Sequence, residues 1–184
     1  MELDACIKER RSVRSYTPES VSKEQIEAIL EAGIWAPTAM HREPLKFVII
    51  EDKKLINFVS DETKVLVQQM SPDLAKRFAT SEDIICYNAP VLILICAEKD
   101  QQWGSLNLLD SVLAAENMFL KAHGMGLGTC YMGWISRLTS KPDILKKVGV
   151  PENCDMLVPF ILGHPKGKAG ADKRKKPNII KWIK

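Results

Sequence analysis

Pro90-Val91-Leu92-Ile93-Leu94-Ile95-Cys96 is the stretch from which the fold is read. Six apolar residues follow the proline without a break. An edge strand with one wet face would alternate apolar and polar side chains, so this run predicts a central strand covered on both faces. Phe47-Val48-Ile49-Ile50 reads as a second strand and Leu157-Val158-Pro159-Phe160-Ile161-Leu162 as a third. Pro159 has no N–H to give to a ladder, which implies an edge position or a bulge.

Helices separate these strands. In Val21-Ser22-Lys23-Glu24-Gln25-Ile26, Ser22 caps, Gln25 completes a capping box and Val21 staples to Ile26. Ile26, Ile29 and Leu30 supply the apolar stripe, and Gly33 reads as the stop. Asp61 to about Met70 reads as a helix, and Ser71-Pro72 starts another. Leu106 to His123 is the longest candidate. Leu109, Val112, Leu113, Glu116 and Leu120 share one face of it, and Leu108, Ala115 and Phe119 share an adjoining one. A helix so apolar around its circumference is buried, in the core or at a subunit contact. Gly124-Met125-Gly126 ends it, and Ser140-Lys141-Pro142-Asp143 opens a short helix that Gly149 closes. Residues 163–176 read as a flexible loop. The apolar segment Asn178-Ile179-Ile180-Lys181-Trp182-Ile183 then docks on this chain or on a partner. Together the elements predict an α+β fold with a central, mostly antiparallel sheet flanked by helices.

The 184 residues fit one domain, 1–184, with 46% hydrophobic and 27% charged residues, an ordinary globular mix. A formal charge of +3 is too weak to argue for nucleic acid. The longest strongly apolar stretch, Val91 to Ala97, is too short to span a bilayer. Five scattered cysteines contain no C-x-x-C pair and no zinc spacing, so no metal site is expected. Their odd count, with no signal peptide, points to the reducing cytoplasm. Gly126-Leu127-Gly128 follows a helix where a dinucleotide fingerprint would follow a strand, and there is no P-loop. His123 and His164 read as surface or packing residues, and Cys130 as a packed thiol with no base beside it.

Near the N-terminus, Arg10-Arg11-Ser12-Val13-Arg14 gathers three guanidinium groups and a hydroxyl within five residues. Arginine presents a planar fork of donors that matches phosphate oxygens, in bonds about twice as strong as neutral ones. A second basic cluster, Lys173-Arg174-Lys175-Lys176, lies near the other end. Either alone reads as a solvated basic stretch. Acting together they need a fold that joins the termini, or a partner subunit that supplies one half.

Five blocks in order extend this pattern: Arg10 to Arg14; Ala36-Pro37-Thr38-Ala39-Met40-His41-Arg42-Glu43-Pro44-Leu45-Lys46-Phe47; Tyr87-Asn88-Ala89-Pro90; Gly126-Leu127-Gly128-Thr129-Cys130-Tyr131-Met132-Gly133; and Gly163-His164-Pro165 with the later basic cluster and Pro177. The ordered set resembles the nitroreductase family of flavin mononucleotide (FMN) enzymes. The resemblance implies an intertwined homodimer with two FMN sites at its interface. By position, Arg10, Ser12 and Arg14 would hold the phosphate and ribityl chain, with Arg11 adding contacts. Lys173 and Lys175, or their neighbour Arg174, would close on the phosphate from the other side. Pro37, Thr38, Ala39 and His41 would come from the partner subunit, and Met132 and Gly133 would present backbone near the reactive N5.

The family's usual Pro-Ser-x-x-Asn-x-Gln-Pro-Trp stands here with Thr38 for Ser, His41 for Asn, Glu43 for Gln and Leu45 for Trp. Those departures bear on flavin tuning and substrate preference. The implied activity is hydride transfer from NADH or NADPH to a nitroaromatic, quinone or related small-molecule acceptor, in ping-pong order. It names no catalytic side chain, because the flavin carries the chemistry. The alternative is a non-redox flavin-binding or regulatory protein on the same scaffold, motivated by His41, Glu43 and Leu45. A domain binding nucleic acid through residues 166–176 is disfavoured, since no aromatic residues interleave with the basic ones.

Overall fold

A computed structural model describes residues 2–80, 82–167, 170 and 174–184. The strands within it are β1 (Leu45–Ile50), β2 (Val91–Glu98), β3 (Gly128–Tyr131) and β4 (Cys154–Gly163). They form a sheet of order β1-β2-β4-β3 in which every pairing is antiparallel. The helices are α1 (Leu3–Glu9), α2 (Lys23–Ile34), α3 (Lys53–Gln68), α4 (Pro72–Phe78), α5 (Gly104–Gly124) and α6 (Pro142–Lys147). The α+β expectation holds.

Strand β2 is interior and buried on both faces, as its unbroken apolar run predicts. Leu92, Leu94 and Cys96 pack into a core with Ile56, Val59 and Phe78 of α3 and α4. Val91, Ile93 and Ile95 point the other way, toward Ile26 and Ile29 of α2 and Met118 of α5. Fully burying each such side chain contributes about 1.5–3 kcal/mol.

Pro159 corrects one reading. Strand β4 lies between β2 and β3, so the proline is not on an edge. Its carbonyl accepts from Met132 N at 2.9 Å, just past the last residue of β3. A strand residue turns its N–H and C=O to the same side. The missing donor of Pro159 therefore falls where the β3 ladder has already ended. A register shift lies close by: Ile95 faces Val158 while Cys96 faces Met156, leaving Leu157 extra.

Two helix boundaries differ from the sequence reading. Asp52 caps α3 by accepting from Lys54 N at 2.7 Å and Leu55 N at 3.3 Å, so that helix starts at Lys53 and not at Asp61. Gly33 does not stop α2, which runs on to Ile34. It is a contact glycine, where a Cβ would lie 2.9 Å from both Cγ and Sδ of Met118. The capping box of Ser22 and Gln25 is present as read.

Helix α5 is divided lengthwise. Ala114, Ala115, Met118, Phe119 and Ala122 are buried, whereas Leu108 (45%), Leu109 (59%), Val112 (52%) and Leu113 (48%) are open to solvent in the protomer. The terminal segment is exposed as well, with Ile180 at 97% and Trp182 at 73%, so this chain does not bury it. Among the described residues, no helix is long and apolar enough to cross a membrane.

Candidate functional site

The arginine run leaves α1 in extended form and is stitched to the end of the sheet. Ser12 forms a parallel bridge with Thr129 of β3, and Val13 N donates to Thr129 O at 2.9 Å. Further on, Thr17 N donates to His164 O at 2.9 Å and Lys166 N to Ser15 O at 2.9 Å. These bonds lay residues 12–17 beside β3 and the exit of β4. The first and fourth blocks of the sequence pattern, far apart in the chain, thereby become neighbours.

The three arginines end up in different settings. Arg10 donates from Nε to Glu116 of α5 at 3.2 Å, and its guanidinium lies 5.9 Å from the Phe119 ring centroid. Arg11 turns back on α1 and donates to the carbonyls of Lys8 and Arg10, each at 2.7 Å. Arg14 lines a cleft of about 740 Å³ with Tyr16, Asn57, Lys64, Tyr87 and Lys166. Burial pushes the thiol of Cys130 up, while Arg14, a Ser12 hydrogen bond and Arg10 pull the other way. The buried Cys130 is a packed thiol with two guanidinium groups in electrostatic reach, not an exposed nucleophile.

Asp83 shapes the cleft's far wall. Its Oδ1 accepts from Ser60 Oγ at 2.6 Å, Cys86 N at 2.8 Å and Ile85 N at 3.2 Å, and its Oδ2 accepts from Asn88 N at 2.9 Å. Tyr87 and Asn88 are both left-handed, with φ of 51° and 57°. Such backbone persists only where its surroundings over-determine it, and the Asp83 carboxylate does so here.

The second block is a turn tied to α5. Ala39 N donates to Asp110 Oδ1 at 3.1 Å and Oδ2 at 3.2 Å. Glu43 N donates to Thr38 Oγ1 at 3.2 Å. Arg42 donates to Asn107 Oδ1 at 3.2 Å and stacks over Trp103, 5.1 Å from the ring centroid. Between these ties Met40, His41 and Glu43 all have positive φ, of 53°, 56° and 49°. His41 projects outward with 90% of its side chain exposed, its Nε2 3.3 Å from Glu43 Oε1. Pro37, Thr38, Ala39 and His41 do not line the Arg14 cleft of the same protomer.

Met132 is buried behind β3, and its N–H is held by Pro159 O. Gly133 follows it at the surface beside the Tyr131 ring. Arg174 and Lys175 are exposed, and Lys173 lies outside the described residues. Asp83, Asn107 and Asp110 escaped the sequence reading. For Asp110 there was a signal: a carboxylate set between Leu109 and Ser111, beside the apolar run Val112-Leu113-Ala114-Ala115. Among the described residues, no group of three or more His, Cys, Asp or Glu is placed to hold a metal ion.

An antiparallel sheet between helical layers, with a basic segment laid along its short edge strand, places the chain in one class of α+β proteins. The model of the Nitroreductase family matches residues 7–164, and the chain belongs to that family. It is 28% identical, over 98% of its length and all of the relative's, to a protein of Archaeoglobus fulgidus named "Putative NADH dehydrogenase/NAD(P)H nitroreductase". It is 27% identical to the NADPH-flavin oxidoreductase of Vibrio harveyi over 84% of this chain and 62% of that one. Its fold matches that of an FMN-bound nitroreductase from Bacteroides fragilis with a TM-score of 0.85 and 29% identity, covering 100% of both chains.

Proposed function

We propose that this protein is an FMN-dependent oxidoreductase that moves hydride from NADH or NADPH to a nitroaromatic, quinone or related small-molecule acceptor in ping-pong order. The observation that carries this reading is the anchoring of the arginine run on β3, where Ser12 bridges Thr129 and Val13 N donates to Thr129 O. The donor set suits the cofactor. Guanidinium groups and a hydroxyl match a phosphate. FMN, when bound, supplies the two-electron carrier.

The chain's own residues bind and orient. Arg10, Ser12 and Arg14 would hold the phosphate and ribityl chain, with the basic cluster around Arg174 and Lys175 closing from the other side. Arg11 serves indirectly, by fixing the end of α1. Met132 and Gly133 would present backbone to the ring, with Tyr131 beside them. Pro37, Thr38, Ala39 and His41 do not line the cleft of their own protomer, so in this reading they serve the cleft of a second copy. The open apolar face of α5 and the exposed terminal segment supply the surface for such a homodimer.

An absorption spectrum of the purified protein tests the reading. A flavin band that bleaches on adding NADH or NADPH without oxygen, and returns with a quinone, is the expected result. Protein that is colourless and takes up no added FMN would overturn it. A flavin band with no turnover of either nicotinamide would instead favour a non-redox flavin-binding role.

A further inference from the structure

The turn from Thr38 to Glu43 is held in an unfavourable backbone form by a carboxylate that no motif marks. Met40, His41 and Glu43 are non-glycine residues in the left-handed region. L-residues avoid that region because Cβ crowds the backbone, and a run of them needs external restraint. The turn is restrained at its start, within itself and at its end: Ala39 N on Asp110, Glu43 N on Thr38 Oγ1, and Arg42 on Asn107. Asp110 and Asn107 sit one helical turn apart on α5 and are 4% and 2% exposed.

A buried carboxylate is costly unless it is hydrogen-bonded. Alanine or leucine at 110 would suit both the helix and the burial better. What aspartate adds there is an acceptor for the Ala39 N–H, met by both of its oxygens. Met40 and His41 are thrust outward as a result, with Met40 78% exposed.

We infer that Asp110, seconded by Asn107, is the positioning residue that pre-sets the Thr38–Glu43 turn on the single protomer, before cofactor or second chain arrives. Asp110 itself touches no ligand; it acts through the Ala39 amide. The link from the turn to flavin rests on the functional reading above, whereas the pre-setting of the turn does not.

Two measurements on the full chain separate these claims. The first is hydrogen–deuterium exchange of the Ala39 amide in FMN-free protein. Asp110→Ala is expected to speed it about tenfold or more, as loss of a bond to a charged acceptor implies, with amides in β2 unchanged. Asp110→Asn keeps one acceptor oxygen and is expected to fall between wild type and Asp110→Ala. Ala39 exchange equal to wild type in Asp110→Ala would overturn the inference. If Asp110→Ala does not fold, Asp110→Asn decides by the same comparison. The second measurement is FMN affinity by fluorescence quenching. It is expected to weaken about tenfold in Asp110→Ala and to be largely restored in Asp110→Asn. Undiminished FMN affinity in a variant whose turn has opened would overturn the link to flavin. Wild-type protein that binds no FMN would sink the functional reading alone, and exchange at Ala39 would still decide the role of Asp110.

Discussion

Val13 is seated on Gly128 so closely that a Cβ on residue 128 would stand 2.6 Å from Val13 Cγ2. This contact, with the Val13–Thr129 hydrogen bond, fixes how near the arginine run lies to β3. Gly128→Ala would force the two segments apart. Overpacking of this kind costs about 1–3 kcal/mol. We expect a lower urea midpoint and weaker FMN binding together; a variant with both unchanged would show that the contact does not set the site.

Arg10 and Arg14 divide the work on the proposed anion. Each charge-assisted bond is worth about 1.5–3 kcal/mol, so the double variant R10A/R14A should weaken FMN binding by at least about tenfold. Glu116 competes for Arg10 in the ligand-free protomer. Glu116→Gln should therefore leave FMN affinity undiminished. Fluorescence titration of the three proteins checks both statements.

Alkaline pH should destabilise the fold. Burial pushes the Cys96 thiol up to about 12 from an ordinary value of 9.0. It pushes Cys86 and Tyr16 upward as well. In the window between 9.0 and about 12 the native state keeps a proton that the unfolded chain has released. The stabilisation is thus complete below the unfolded value and is lost as pH rises through the folded one. Urea midpoints should hold steady up to the lower bound and then fall. Cys96→Ala should make that fall shallower.

Leu109 and Leu113 lie on the open face of α5. If a second copy covers that face, L109K/L113K should yield a monomer with little loss of protomer stability, because neither side chain is in the protomer core. Sedimentation velocity distinguishes the two forms. The same variant should bind FMN poorly, since Thr38 and His41 would then have no facing cleft.

Much of this was legible locally. The β2 run announced its two covered faces, and the Ser22-Gln25 box announced the start of α2. The length of α5 was readable from its apolar spacing. Readings failed where a neighbour distant in sequence decided the outcome. Gly33 looked like a helix stop, yet Met118 explains it. Of the two readings of Pro159, an edge or a bulge, the edge fails because the short length of β3 lets the proline sit inside, and a register shift lies at Leu157 close by. Strand β3 has only four residues and no pattern of its own, so pairing with β4 alone defines it.

The amino-acid order by itself settled most of the helices and strands, because caps and apolar periods act over a handful of residues, but it marked neither α1 nor β3. It also supplied the ordered blocks that mark the family. Only the tertiary structure decided which of those blocks meet. Arg10 reaches Glu116 across 106 residues, and Ala39 reaches Asp110 across 71. No local rule encodes such contacts, because they exist only after the sheet and α5 have closed the chain on itself.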